Sequence, residues 1–304
     1  MSKIDDQIAV GTKVFTRTDD LRRLLASIPP FVSKVYVSDD GEMSDQKSSV
    51  YNTNYDFDLE VINLEYDAGL AAGRNAIVEV ATEKYIFIVD TDHQLPPTAK
   101  LLYKQLKASP DIGGIGATLV EPENDRLYSQ VADFREKQTE DGVKLIRESG
   151  GIDNSKTIRI VQDAPLIEFD FIPNAALFKR ECLEDQSWDD EYIIEYEHTD
   201  FYLSHWRYTD WKFAISPSVQ VLHYPGGDTD YMVNRHSPKK SSHTEEYFFT
   251  KWGYSEMETT DTKWIEAGSI GTVSEKFESV VTILREEGPR ALIKQIRLYL
   301  SSNR

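Results

Sequence analysis

An α/β fold with a mostly parallel sheet flanked by helices is predicted by three observations. Short continuous apolar runs rich in β-branched residues alternate with helix-spaced segments through the first 120 residues. The runs are four to nine residues long, too short for buried helices and unlike the strict alternation of a half-exposed antiparallel sheet. Several of them stop at acids, threonines or Gly-containing turns, where an open parallel sheet gathers its functional loops.

The elements follow in order. "IAVGTKVF" (8–15) reads as a buried strand, and Asp19–Ile28 as a helix closed by Pro29 and Pro30. "KVYVS" (34–38) and "LEVINL" (59–64) are the next strands. "AAGRNAIVEVA" (71–81) has helical spacing, with Ile77, Val80 and Ala81 on one face. "YIFIV" (85–89) is a fourth strand, followed by Pro96-Pro97 and a helix through Leu106, and "IGGIGATLV" (112–120) closes the series. The layout is Rossmann-like. From 121 to 165 polar segments such as "RLYSQVADF" and "GVKLIRES" predict a hairpin or meander laid over the sheet. "LIEFDFIPNAALFKRE" (166–181) returns to the core, and 219–223 is another strand, broken by "YPGGD". The last 50 residues read as helical, with a boundary expected between a catalytic domain, 1–255, and a helical extension, 256–304.

Composition narrows the function. At 304 residues and 40% apolar content the chain can bury a large core, and no stretch approaches the ~20 apolar residues of a membrane span. "MSKIDDQIAV" lacks the pattern of a signal peptide, and a single cysteine, Cys182, excludes an internal disulfide framework; both point to a cytosolic protein. With 52 acids against 34 bases the net charge is −18, which argues against nucleic acid as a partner and suits a cation-dependent enzyme or a salty cytoplasm.

Three strand ends carry polar groups: Thr16, Arg17 and Thr18; Asp39, Asp40 and Gly41; Asp90, Thr91 and Asp92. Two carboxylates at i and i+2 on a strand lie ~6–7 Å apart on one side and repel each other unless a cation intervenes. Mg²⁺ and Mn²⁺ prefer such oxygen ligands and keep positions open for phosphates. Asp90 and Asp92 therefore read as a platform for a metal–diphosphate.

"VYVSDDG" followed by "YDAGLAAGRNAIVEVATEKYIFIVDTDHQLPP" resembles the family 2 glycosyltransferases of the GT-A fold. Further on, "WDDEYIIEYEHTDFYLSHWR" (188–207) is similar to that family's F-D-E-x(6)-E-D-x-D-L…R pattern, with Trp188 for Phe and Asp190 for Glu. The likeness spans roughly residues 7–225. It implies an inverting, metal-dependent transfer of sugar from a nucleotide-diphosphate sugar to a saccharide or lipid-linked acceptor hydroxyl. It further implies that Thr16, Thr18 and Asp40 contact the nucleobase and ribose, with Asp39 supporting their loop. Arg74 would face the nucleotide, Asp90 the ribose or metal, and Asp92 the Mn²⁺ or Mg²⁺; the competing reading of Arg74 is a surface arginine capped by Asp67. His223 would complete the metal shell, whereas His93 would point to the opposite face if its strand continued. Gly69 and Gly73 read as loop and packing glycines.

The family's usual base is an Asp where this chain has His198. A histidine can serve, since its pKa lies near working pH; Glu197 or Asp200 could orient it or act instead. Trp188 could stack on an acceptor sugar or belong to the core. A sugar-phosphate nucleotidylyltransferase is an alternative, although "VGTKVFTRTDD" lacks its G-x-G-T-R loop, and a non-catalytic nucleotide-sugar-binding module is another. Finally, "GPRALIKQIRLYLSSNR" predicts a basic amphipathic helix: 285–304 carries five bases and two acids. It would pack on its own domain or on a second copy, or contact the inner face of a membrane.

Overall fold

The computed structural model describes residues 7–124, 126–149, 156–227, 229–260 and 265–266. Strand β1 (Ile8–Val14) leads through α1 (Thr18–Ala26) to β2 (Lys34–Asp39), and α2 (Asp45–Tyr51) leads on to β3 (Asp58–Asn63). Helix α3 (Leu70–Val80) crosses back to β4 (Tyr85–Ile88), followed by the short β5 (His93–Gln94), α4 (Lys100–Lys107) and β6 (Ile112–Glu121). Next come β7 (Arg126–Tyr128) and two hairpins, β8 (Ala132–Thr139) with β9 (Gly142–Ser149) and β10 (Ile158–Val161) with β11 (Ala164–Phe169). The chain continues through β12 (Ala176–Lys179), α5 (Arg180–Asp185), α6 (Glu197–Tyr208) and β13 (Lys212–His223). It then forms α7 (Thr229–Arg235), α8 (Pro238–Trp252), β14 (Tyr254–Thr259) and β15 (Ile265–Glu266).

The central sheet runs β10-β11-β13-β6-β12-β4-β1-β2-β3, with β5 against β13 and β7 against β6. Its β3-β2-β1-β4 half is wholly parallel, as the apolar runs predict. The other half is mixed, because β12 inserts antiparallel between β4 and β6. Successive residues serve opposite faces. In β4, Ile86 and Ile88 enter the core beneath α3, α5 and α6, whereas Phe87 enters the one beneath α1 and α4. Residues of the β8–β9 hairpin, Phe134 and Leu145, bury in the first of these cores, but the hairpin forms a separate three-stranded sheet with β14.

Two elements differ from the sequence expectation. Helix α2 buries only Lys47 and Val50, so it has no apolar stripe to announce it; its start is fixed by the Ser44 side chain, which accepts from the Lys47 amide. Strand β14 lies in a region read as helical, runs across the 255/256 boundary and pairs in parallel with β9. The remaining part of the expected extension, including the 285–304 helix, lies outside the described residues apart from 265–266.

The topology creates the site. β1 connects to β2 on one side, while β3 returns through α3 to β4 on the other side of β1. The carboxyl ends of β1 and β4 therefore flank a switch point, where open α/β sheets bind ligands. Gly69 opens α3 at φ +103°, and a Cβ there would meet the Ile193 backbone at 2.7 Å; this tight turn brings α3 onto the rim.

Candidate active site

The β2 end is a buried anionic loop held by two lysines. Asp39 accepts from Lys47 Nζ at 2.6 Å, Tyr51 Oη at 2.6 Å and the Gly41 amide at 3.0 Å. Lys47 also donates to the Phe15 carbonyl, tying the β2 loop to the end of β1. Asp40 is fully buried, with Lys13 Nζ 2.6 Å from Oδ1 and the Gly69 amide donating to Oδ2. Both of its oxygens are thus engaged by protein groups. Burial pulls the Lys13 pKa down despite this carboxylate. Beside the loop, Thr18 turns its hydroxyl back onto the Thr16 carbonyl, and the exposed Tyr66 ring lies 5.4 Å from Phe15.

At the β4 end the two aspartates have different partners. Asp90 accepts from Asn174 Nδ2 at 3.0 Å and lies 3.4 Å from Arg74 Nη2. Burial would raise its pKa, but the Arg74 charge leads the groups that outweigh it and hold the carboxyl low. Asp92 places Oδ2 2.5 Å from Arg17 Nη2 and 3.4 Å from His223 Nε2. Here too burial is outweighed, first by the His223 hydrogen bond and then by the Arg17 charge. The other oxygen, Asp92 Oδ1, is buried and has no hydrogen-bond partner among the described residues.

His223 is oriented from behind, because its Nδ1–H donates to the buried Glu121 carboxylate at 3.0 Å. That contact leaves Nε2 facing Asp92, the arrangement that fixes imidazoles at metal centres. Burial opposes charge on His223, but Asp92 and Glu121 together raise its pKa. His93 corrects the sequence expectation. The strand ends at Ile88 and the chain turns, so alternation no longer applies and His93 swings to the same side. One potential ligand atom each from Asp92, His93 and His223 lies within 4.8 Å of the others. His93 Nδ1 accepts from the Asp90 amide, so the neutral ring carries its proton on Nε2, making His223 the better-matched imidazole. The unpartnered Asp92 oxygen and the carboxylate-backed imidazole fit a divalent cation, which would compete with Arg17 and the His223 proton for this position.

Arg74 links this end to α6. It is buried, not capped by Asp67, and lies 3.4 Å from Asp90 Oδ1, Glu197 Oε1 and His198 Nδ1. Asp67 instead binds Asn234 and Lys240, which fasten the segment around α7 over the rim. From that segment the Tyr231 ring covers the Arg17 guanidinium at 4.7 Å. Two non-glycine residues before α6, Glu195 and Tyr196, take left-handed φ values of 61° and 58°. Each costs roughly 1–2 kcal/mol, and the turn they make delivers Glu197 and His198 to Arg74.

The three candidate bases differ sharply. Asp200 is drawn under α8, where Tyr192, Lys251 and Trp252 all donate to it. Burial still raises its pKa, and its oxygens have no access to a substrate. His198 is kept neutral by burial and then by Arg74. Since a guanidinium only donates, Nδ1 accepts and the proton sits on Nε2, which is buried without a partner among the described residues. Glu197 engages Arg74 through one oxygen. Trp188 belongs to the core: it is 2% exposed, stacked on Phe201 at 4.5 Å and edge-on to Phe178, leaving no face for a sugar.

Four groups in or beside the site were given no role from sequence: Arg17, Asn174, Glu121 and Arg147. Asn174 was the most findable, as a lone amide inside the apolar run "FIPNAALF".

A family model described as glycosyl transferase family 2 matches residues 10–186. No curated protein matches the chain. Among solved structures, it is similar to the mannosyltransferase PcManGT from Pyrobaculum calidifontis in complex with GDP-Man and Mn2+, at TM-score 0.52 and 12% identity, over 98% of this chain and 76% of that one. It is also similar to residues 1–349 of S. aureus TarS, at TM-score 0.48 and 11% identity, over 97% and 92% of the two chains. At 12% identity the likeness to PcManGT is one of fold.

Proposed function

The chain belongs to glycosyl transferase family 2 and is a glycosyltransferase of GT-A fold; from that premise we propose that it moves a sugar, with inversion, from a nucleotide-diphosphate sugar to an acceptor hydroxyl. The family assignment sets aside the nucleotidylyltransferase and the non-catalytic module. The observation that carries the donor reading is the buried, unpartnered Oδ1 of Asp92 at the switch point, on a carboxylate whose Oδ2 faces His223. Asp92 and His223, with Asp90 and His93 adjoining, would hold Mn²⁺ or Mg²⁺, whose charge would neutralise a departing diphosphate. The complex of PcManGT with GDP-Man and Mn2+ is in keeping with that reading.

The protein's own groups have separable tasks. Thr16, Thr18 and the β2 loop bearing Asp39 and Asp40 line the nucleoside side, with the exposed Tyr66 offering a ring surface. Asn174 and Arg74 fix the Asp90 carboxylate. Arg74 also holds Glu197 and His198 at the acceptor side. Of the three candidates, Glu197 is best disposed to accept the hydroxyl proton, because Asp200 is enclosed and the accepting nitrogen of His198 faces Arg74. Attack by that hydroxyl opposite the leaving group inverts the anomeric carbon.

The test is to incubate the protein with a panel of nucleotide-diphosphate sugars and read the donor anomeric carbon and its product by NMR. Transfer or hydrolysis with inversion is expected. Glu197→Gln should lower kcat on the order of 10²–10⁴-fold, while Asp200→Asn acts mainly on stability. Retention of configuration, or undiminished turnover by Glu197→Gln, would overturn this assignment. No helix among the described residues is long and apolar enough to cross a membrane.

A further inference from the structure

Arg147 enters the site from outside the central sheet. It stands on β9, the middle strand of the three-stranded sheet, and its Nη1 donates to Thr199 Oγ1 in the first turn of α6 at 3.1 Å. The guanidinium lies over the Phe171 ring at 4.9 Å, and Phe171 in turn meets the His198 ring at 5.6 Å. Arg147 is close enough that its charge helps keep His198 neutral.

What distinguishes it is the absence of a counter-charge. Arg17, Arg74 and Arg159 each pair with carboxylates, in a chain with 52 acids. Among the described residues, no carboxylate lies within ion-pair distance of Arg147. Burial accordingly lowers its pKa, and the groups that oppose this are the phenols of Tyr196 and Tyr128, not acids. A guanidinium removed from much of its solvent and held by one hydroxyl and one ring keeps several N–H donors unused. Its planar fork matches the oxygens of a phosphate or carboxylate.

We propose that Arg147 is the binding residue for an oxyanion, a phosphate or carboxylate, carried by a substrate on the Thr199–His198 side of Arg74. The inference rests on the glycosyltransferase reading of the site and deepens it by giving one substrate a negative charge. Two sources share this chemistry: an anionic acceptor, and the diphosphate of the donor.

Inorganic phosphate is the probe, titrated at constant ionic strength and without divalent metal into the full chain and its Arg147→Gln and Arg147→Lys variants. Phosphate should bind the wild type, bind Arg147→Gln on the order of tenfold or more weakly, and bind Arg147→Lys at an intermediate level. With no acid partner lost, any drop in unfolding temperature without phosphate should be no larger than the loss of the Thr199 hydrogen bond and the Phe171 contact explains. Repeating the titration with saturating Mn²⁺ and nucleoside diphosphate separates the sources. A phosphate response that persists assigns the site to the acceptor, and one that disappears assigns it to the donor diphosphate. Equal phosphate affinity in wild type and Arg147→Gln, no phosphate binding to the wild type, or a lowered unfolding temperature with unchanged phosphate affinity would overturn the proposal. Failure of every nucleoside diphosphate to bind would instead count against the donor reading, leaving the Arg147 phosphate response to stand or fall separately.

Discussion

Replacing Arg74 with methionine should cost stability in a way that depends on pH. Arg74 is 3% exposed and stands between Asp90 and the almost fully buried Glu197. Methionine keeps an apolar stem against Trp188 but leaves two carboxylates without their shared cation. Breaking a buried ion pair costs about 3–5 kcal/mol. The 3.4 Å contacts and the one-third exposure of Asp90 favour the lower end, about 3 kcal/mol. For a chain of this size that lowers Tm by roughly 5 °C. In the wild type, Asp90 has a depressed pKa, so it contributes stability above the ordinary carboxylate pKa that is lost as pH falls through the folded value. In the variant burial acts without the Arg74 charge, so the Asp90 pKa lies above its wild-type value. The wild type then has more stability to lose to acid than the variant has. Differential scanning calorimetry of both proteins, from neutral pH down through the carboxylate range, should show the Tm gap narrowing with acid. A gap that stays constant, or a variant with the wild-type Tm at neutral pH, would refute the bridging role. Arg74→Lys should recover part of the loss, since it retains the charge but not the fork.

Acid should destabilise the fold through its buried histidines. Burial holds His205 neutral with a pKa of about 4, against 6.5 when unfolded. Between those values the unfolded chain binds the proton first, so stability falls with pH by about 1.4 kcal/mol per unit. Unfolding curves of His205→Gln should show a shallower pH slope in that window, with the remainder supplied in the same direction by His198 and His93. At the nucleoside loop, Lys47→Met should cost about 3–5 kcal/mol by stranding buried Asp39. The double variant with Asp39→Asn should regain part of it in a denaturant double-mutant cycle; strict additivity would mean the pair is not coupled.

The fold was legible where local pattern carries it. The runs from Ile8 to Val120 are short, β-branched and bounded by Pro, Gly or acids, so the strands and the helices between them follow from period alone. Helix α2 was not legible because burial of a lysine in place of an apolar stripe depends on Asp39, and the pairing of β14 with β9 joins segments about a hundred residues apart. The acids at the strand ends were visible as a rim, because a strand that stops at an acid must stop somewhere polar. Their division of labour was not visible. Arg17 reaches Asp92 from 75 residues away, and Lys251 and Trp252 withdraw Asp200 from 51 and 52 residues away. Trp188 follows the same rule: an aromatic beside a motif reads as a stacking surface until Phe201 is seen stacked on it, with Phe178 edge-on and Arg74 over the ring. His93 was misplaced for a simpler reason, since alternation holds only while the strand does.

Calorimetric titration of nucleoside diphosphates into wild-type protein and Asp92→Asn, each with Mn²⁺ and with chelator, tests whether Asp92 holds a cation that binds the donor. One nucleoside diphosphate should bind the wild type with Mn²⁺, chelator should weaken it by at least about tenfold, and Asp92→Asn should remove the metal response while leaving a folded protein. Nucleotide binding to the wild type that is indifferent to chelator, or a full Mn²⁺ response in Asp92→Asn, would contradict it.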